Sequence, residues 1–174
     1  LTVLEERIRH SQLDGTLGIG HTRWATHGEP SDINSHPHTN QSGDIAIVHN
    51  GIIENYMKLK SWLQREGYVF VSDTDTEVVA HLINYYYDGD LVEAVRKTLD
   101  RIEGSYALAV IAKSHPDCMV VARKDSPLII GLGEGENFIA SDIPAILKHT
   151  RKVYFLEDKE IAQISREQVN IINQ

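Results

Sequence analysis

Between residues 106 and 172 the chain holds seven short apolar or alternating runs, at 106–112, 118–122, 128–130, 138–140, 153–156, 161–164 and 169–172, each bounded by turn residues. Runs this short, so regularly broken, read as strands and leave no room for helices of ordinary length. Several are apolar on both faces, which suits a sheet covered on each side. Earlier in the chain, residues 1–10 carry Leu1, Leu4 and Ile8 on one helical stripe, and residues 17–21 read as a short strand. Residues 44–49 read as a buried strand stopping at Asn50-Gly51, a turn signal. Tyr56, Leu59 and Leu63 mark a helix ended by Gly67. Thr74-x-x-Glu77 has the form of a capping box before Val78, Val79, Leu82, Ile83 and Tyr86 at helical spacing. Asp90 caps a third helix, predicted to run through Ile102 and end at Gly104. A strand, then helices, then many strands point to an α+β layered domain rather than a βαβ repeat.

At 174 residues the chain is close to the size of one domain of about 150 residues. Its 41% hydrophobic content is enough for a real core. Seventeen basic against 25 acidic residues give 17 − 25 = −8, which argues against a nucleic-acid partner. An anionic ligand would have to be held by a local cation against that field. One cysteine, Cys118, leaves no internal disulfide framework. There is no apolar run of membrane-spanning length and no signal-peptide pattern at the start, so a soluble, cytoplasmic chain is predicted, with no membrane partner.

Residues 22–43 have no hydrophobic period, and a stretch that long inside a compact domain is usually functional or disordered. Beside it, His21-Thr-Arg-Trp-Ala-Thr-His-Gly28 gathers a cation, an indole, hydroxyls and imidazoles. Arg23 suits a carboxylate because its guanidinium forks onto two oxygens, and it suits a surface salt bridge as well. Trp24 fits a core position equally. Asn50-Gly51 reads as a plain turn or as an oxyanion hole, with a side-chain amide and an unhindered backbone N–H aimed at one oxygen. Asp75 reads as a helix-start carboxylate or as the partner of a ligand ammonium. His21, His27, His36, His38 and His49 all precede residue 50, and His36-x-His38 with His27 or His49 would suit zinc. No acidic or cysteine partner recurs at ligand spacing, so no metal site is expected, and no phosphate-cradling or dinucleotide-binding glycine loop implies a cofactor. Cys118 precedes an apolar strand and reads as a small buried hydrophobe. On residues alone, a metal-dependent hydrolase using the histidine-rich loop and a non-catalytic small-molecule-binding module both stay open.

Taken in order, His21-Thr-Arg-Trp-Ala-Thr-His-Gly28, His36-Pro-His38, Val48-His-Asn-Gly-Ile-Ile-Glu-Asn55, Ser72-Asp-Thr-Asp-Thr-Glu-Val78 and Gly135-Glu-Asn-Phe-Ile-Ala-Ser-Asp142 form one set. It resembles the glutaminase domains of the glucosamine-6-phosphate synthase (glutamine–fructose-6-phosphate aminotransferase, isomerizing) family, among the class II glutamine amidotransferases. The resemblance runs from Gly18 to the end and implies that residues 1–174 are one such domain, truncated at its N-terminus and without the isomerase domains. It implies a four-layer αββα N-terminal-nucleophile hydrolase sandwich of two antiparallel sheets, missing its first strand. It also implies a site in which Arg23 binds the α-carboxylate of L-glutamine (or the product L-glutamate), Thr26 and His27 shape that end, and Asp75 pairs with the α-ammonium. Asn50 and the Gly51 N–H would form the oxyanion hole, with Gly51 also near the ammonium, and Trp24 would sit on a loop closing over glutamine. The ammonia released would convert fructose 6-phosphate to glucosamine 6-phosphate in a partner isomerase domain of a longer, homo-oligomeric protein. In the family, the nucleophile is an N-terminal cysteine whose own α-amino group acts as base, an amine that titrates at about 7.7–8.0. This sequence begins with Leu1, and Cys118 cannot combine thiol and free amine on one residue. The 174-residue chain by itself is therefore expected to show no appreciable glutaminase activity.

Overall fold

The computed structural model describes residues 2–11, 14–23 and 27–173. Its helices are α1 (Thr2–Arg9), α2 (Tyr56–Arg65), α3 (Glu77–Tyr86) and α4 (Leu91–Leu99). The strands are β1 (His38–Thr39), β2 (Ile45–Ile53), β3 (Gly104–Ala112), β4 (His115–Lys124), β5 (Ile129–Leu132), β6 (Asn137–Ala140), β7 (Val153–Phe155), β8 (Glu160–Ser165) and β9 (Val169–Asn173). They form a six-stranded sheet of order β1-β2-β3-β4-β8-β9 and a three-stranded sheet of order β6-β5-β7, and every ladder between them is antiparallel.

Side chains alternate across a strand, so the large sheet feeds two cores at once. On one face Ile45, Ile47, Ile53, Leu108, Val110, Val120 and Ile161 meet Leu59 and Leu63 of α2, Val78, Leu82 and Ile83 of α3, and Leu91 and Val95 of α4. On the other face Val48, Ala107, Ala109, Met119, Val121, Ala162 and Ile164 pack against Ile130 of β5 and Leu156. A 3-10 turn at Ile143–Ala145 leads into buried Ile146, which covers the small sheet at Gly131. The result is an α+β sandwich of two facing antiparallel sheets with helical segments outside, as the doubly apolar runs predict. Among the described residues, no helix is long and apolar enough to cross a membrane.

Several local expectations hold in detail. Asp90 Oδ1 accepts the Glu93 N–H at 3.0 Å and caps α4. Gly67, at φ 93°, ends α2 by turning the chain so that the Tyr68 N–H reaches the Leu63 carbonyl at 3.0 Å. Others are corrected. Residues 17–21 form no strand, and α4 stops at Leu99 rather than Ile102. The capping box does not form, because Thr76 occupies the cap position of α3 and the Thr74 hydroxyl lies 3.1 Å from His38 Nε2 instead. Glu77 reaches back to the N–H groups of Val71 and Ser72 and accepts the Ser72 hydroxyl, so its carboxylate satisfies donors before the cap residue. Asn50-Gly51 is not a turn, since β2 runs on through Ile53.

The stretch without hydrophobic period is organised by buried amides. Asn40 Oδ1 accepts the N–H groups of Asp44 (2.8 Å) and Ile45 (3.0 Å), while its Nδ2 donates to Ser42 and to Asn84 of α3. Asn34 donates to the Glu29 carbonyl and accepts the Asp73 N–H. These side chains do for a loop what apolar residues do for a helix. Asn40→Ala removes the acceptor from two backbone donors at the start of β2, and unfolding by urea should show a loss of about 2–4 kcal/mol, the scale for stranding buried polar groups. A change within about 0.5 kcal/mol would show that water replaces the amide there.

Candidate functional site

β2 carries the first part of the site because of two glycines. In the β2–β3 ladder Gly51 lies opposite Tyr106, and Ile53 opposite Gly104. Gly51 has φ 126°, and a Cβ there would fall inside the van der Waals radius of the Ser105 carbonyl oxygen. Gly104, at φ 112°, would meet the Ile52 carbonyl in the same way. The strand thus takes a conformation that L side chains rarely adopt, and it brings the Asn50-Gly51 backbone to the wall of a cavity.

The loop before α3 supplies the opposite wall. Asp75 lies just ahead of the helix rather than in its first turn, and only 3% of it is exposed. Its Oδ2 accepts the Ile53 N–H at 2.7 Å, and its Oδ1 lies 3.8 Å from His27 Nδ1. The next residue, Thr76, holds buried His49 through an Nδ1–Oγ1 contact of 2.9 Å, and His49 Nε2 faces the Ser105 carbonyl at 3.4 Å. Burial lowers the pKa of His49, so the neutral ring donates to that carbonyl and accepts from the threonine hydroxyl.

Arg23 arrives from the other side at φ 56°. Its Nη2 donates to the carbonyls of His27 and Gly28, both at 2.9 Å, and its Nη1 to that of Glu29 at 3.1 Å. Among the described residues it forms no salt bridge; it clamps the carbonyls of its own loop. Its backbone N–H donates to His21 Nδ1 at 2.8 Å, and His21 Nε2 lies 2.6 Å from Asn50 Oδ1.

Arg23, His27, Asn50, Gly51 and Asp75 therefore line one cavity of about 310 Å³, at the small end for ligand pockets. Trp24 and Thr26 lie outside the described residues. His49, Thr74, Thr76 and Ser105 also line the cavity without having been singled out for it, and no short-range pattern marks a serine in β3 as its neighbour. A second cavity of about 740 Å³ adjoins the first, shares Arg23, His49 and Asn50, and opens between the two sheets. A guanidinium, a buried carboxylate and amide donors around so small a space suit a zwitterion bearing one further polar group.

The histidine-rich wall carries little charge. Burial, helped by His21, His38, His49 and Arg23 nearby, pushes His36 down to about 3, and burial lowers His38 as well. The His21 and His36 rings are tilted with centroids 4.4 Å apart, and His36 meets His38 edge-to-face at 4.8 Å. Among the described residues no group of three His, Cys, Asp or Glu side chains is arranged to hold a metal ion. Cys118 is half-buried on β4 with its Sγ 3.6 Å from Gln163 Nε2, and it does not line the cavity.

A family model described as a glutamine amidotransferase domain matches residues 21–148. The chain is 68% identical over 173 residues to the glutamine–fructose-6-phosphate aminotransferase (isomerizing) of Caldanaerobacter subterraneus subsp. tengcongensis, covering 99% of this chain and 28% of that protein. It is 58% identical over 173 residues to the protein of the same name from Clostridium tetani, with the same coverage of both. The chain thus spans 28% of the length of these relatives. Among solved structures, the glutamine phosphoribosylpyrophosphate amidotransferase from B. subtilis, complexed with ADP and GMP, superposes with TM-score 0.73 at 28% identity, over 88% of this chain and 34% of that one.

The buried titrating groups set the sign of the acid response. His36 is held at about 3 against an ordinary 6.5, so the unfolded chain takes up its proton first and stability falls as the pH drops from 6.5. Burial pushes the Glu77 carboxyl up, but the His81 ring 3.4 Å away, the Ser72 hydroxyl and the two N–H groups outweigh it and hold it at about 2, so its contribution fades only below 4.5. The thermal midpoint should fall by a few degrees between pH 6.5 and 5, and His36→Gln, which cannot take that proton, should flatten the slope. Identical slopes for the two proteins would remove His36 from this role.

Proposed function

The chain belongs to the glutamine amidotransferase domain family, and from that premise we propose that it binds free L-glutamine in the 310 Å³ cavity and presents its side-chain amide for hydrolysis to L-glutamate and ammonia. The observation that carries this reading is the placement of Arg23, Asp75, Asn50 and Gly51 around one cavity. They come from separate stretches of sequence and carry complementary charge. In this reading Arg23 turns its guanidinium to the α-carboxylate, the strongest pairing open to a planar fork. Asp75, already desolvated and bonded to the Ile53 N–H, gains an ammonium in place of water. His27 Nδ1 lies 3.8 Å from that carboxylate; His27 and Thr26 are assigned to the α-carboxylate end beside Arg23, and Trp24 to the role of covering the ligand.

Amide hydrolysis then needs stabilisation of the carbonyl oxygen as it gains negative charge. The Asn50 amide and the Gly51 N–H are assigned that task, each worth about 3–4 kcal/mol in the transition state if fully pre-organised. A nucleophile adds to the amide carbon, nitrogen leaves as ammonia after taking a proton, and water cleaves the acyl intermediate to glutamate. Cys118, on β4 and off the cavity wall, does not supply that nucleophile. By analogy with the relatives' names, the ammonia serves the conversion of fructose 6-phosphate to glucosamine 6-phosphate in a longer protein with an isomerase domain. No metal or other cofactor has a part in this scheme.

Titration calorimetry of the chain with L-glutamine and L-glutamate tests the two ends separately. Arg23→Ala should weaken binding by about 1.5–3 kcal/mol, the range for a lost charge-assisted pair. Asp75→Asn, which keeps an oxygen for the Ile53 N–H, should weaken it by a similar amount. γ-Aminobutyrate, lacking the α-carboxylate, and N-acetylglutamine, lacking the ammonium, should each bind poorly to the unmodified protein. Equal affinity for these two and for glutamine would remove the cavity as an amino-acid site.

A further inference from the structure

We propose that His21 is a positioning residue that locks the Asn50 amide with its NH₂ group turned away from the imidazole and toward the cavity, and that ties this orientation to the backbone of Arg23. The inference rests on the reading of Asn50 as the donor to the developing oxyanion. It begins from two hydrogen bonds on one ring. The Arg23 N–H donates to His21 Nδ1 at 2.8 Å, so that nitrogen carries no proton. The neutral imidazole then bears its proton on Nε2, which lies 2.6 Å from Asn50 Oδ1 and donates to it. A flipped amide would set an N–H against an N–H, losing a hydrogen bond and leaving two donors face to face. The ring is further held by His36, whose centroid lies 4.4 Å away.

The consequence is specific to Asn50 chemistry. A side-chain amide in a cavity can present either its oxygen or its nitrogen, and only the nitrogen helps an oxygen that gains negative charge. Among the described residues His21 is the one side chain bonded to Asn50 Oδ1, and Asn50 Nδ2 bonds no other described residue. Among the described residues, His21 is the group that decides which end faces the ligand. The same ring accepts only the main-chain N–H of Arg23, whose guanidinium is held by the 27–29 carbonyls, so the cation end keeps its own clamp when the ring is removed.

The test uses the chain itself and needs no turnover. Nitrogen-15 NMR of the imidazoles should show His21 as the neutral tautomer protonated at Nε2; a proton resident on Nδ1 would overturn the proposal without any variant. L-Glutamate is the second probe, because its γ-carboxylate puts a negative oxygen where the oxyanion would form. Asn50→Ala should weaken glutamate about tenfold, the scale of a lost bond to a charged group. His21→Ala should weaken it by nearly as much, and the double variant no further than Asn50→Ala alone. His21→Gln, whose amide N–H can reach Asn50 Oδ1, should recover most of the loss. 2-Aminobutyrate keeps both α groups but lacks the γ oxygen, so its affinity should not respond to His21→Ala. If His21→Ala weakens both ligands equally, the residue merely holds the loop and the proposal fails. If Asn50→Ala weakens glutamate and His21→Ala does not, the proposal fails while the oxyanion reading stands. If Asn50→Ala itself has no effect on glutamate, the reading of Asn50 fails and His21 has nothing to position.

Discussion

Asp75 puts an acceptor-only group, 3% exposed, against the backbone of a central strand, and the 2.7 Å bond from the Ile53 N–H joins the two walls of the cavity. A buried carboxylate with one full hydrogen bond is costly unless a cation or further donors complete it. Here the nearest further group is His27 Nδ1 at 3.8 Å, beyond hydrogen-bonding reach. Among the described residues the carboxylate thus keeps one hydrogen bond, and in the proposed reading its other oxygen is left for the ammonium of the ligand.

Everything around that bond keeps it in place. Glu77 fastens the segment before it by accepting from Val71 and Ser72, and Thr76, the residue after it, engages His49 on β2. Across the strand, the two close-approach glycines let β2 and β3 run together where side chains would collide. The polar layer borders the apolar core under the helices, to which Val78 and Val79, next to Glu77 in α3, belong. Such a layer specifies its own geometry, because each donor that lost its partner would be stranded away from water.

The alternation of apolar runs made the paired sheets legible, and the caps at Asp90 and Gly67 stood where their chemistry requires. The motif set also marked Arg23, Asn50, Gly51 and Asp75 as candidates, and the structure places all four on one cavity. Asn50-Gly51 was misread as a turn because a dipeptide signal cannot show that β3 lies alongside with a glycine of its own. The Thr74 cap was lost for a similar reason: His38, 36 residues away in sequence, holds its hydroxyl. Residues 22–43 show no hydrophobic period, and the order of residues 27–43 comes instead from Asn34 and Asn40 bonding backbone groups, which leaves no period to detect.

Side-chain pattern along a strand or helix is a local property, so the chain by itself determined which segments are apolar on which faces, where helices start and stop, and which residue types stand ready for charge recognition. Distance between segments is not local. Only the tertiary structure decided that Asp75 meets Ile53, that His21 reaches Asn50 across 29 positions, and that Ser105 closes the same cavity. Hydrogen bonds demand about 3 Å and a defined angle, and no spacing in sequence fixes either until the sheets have packed.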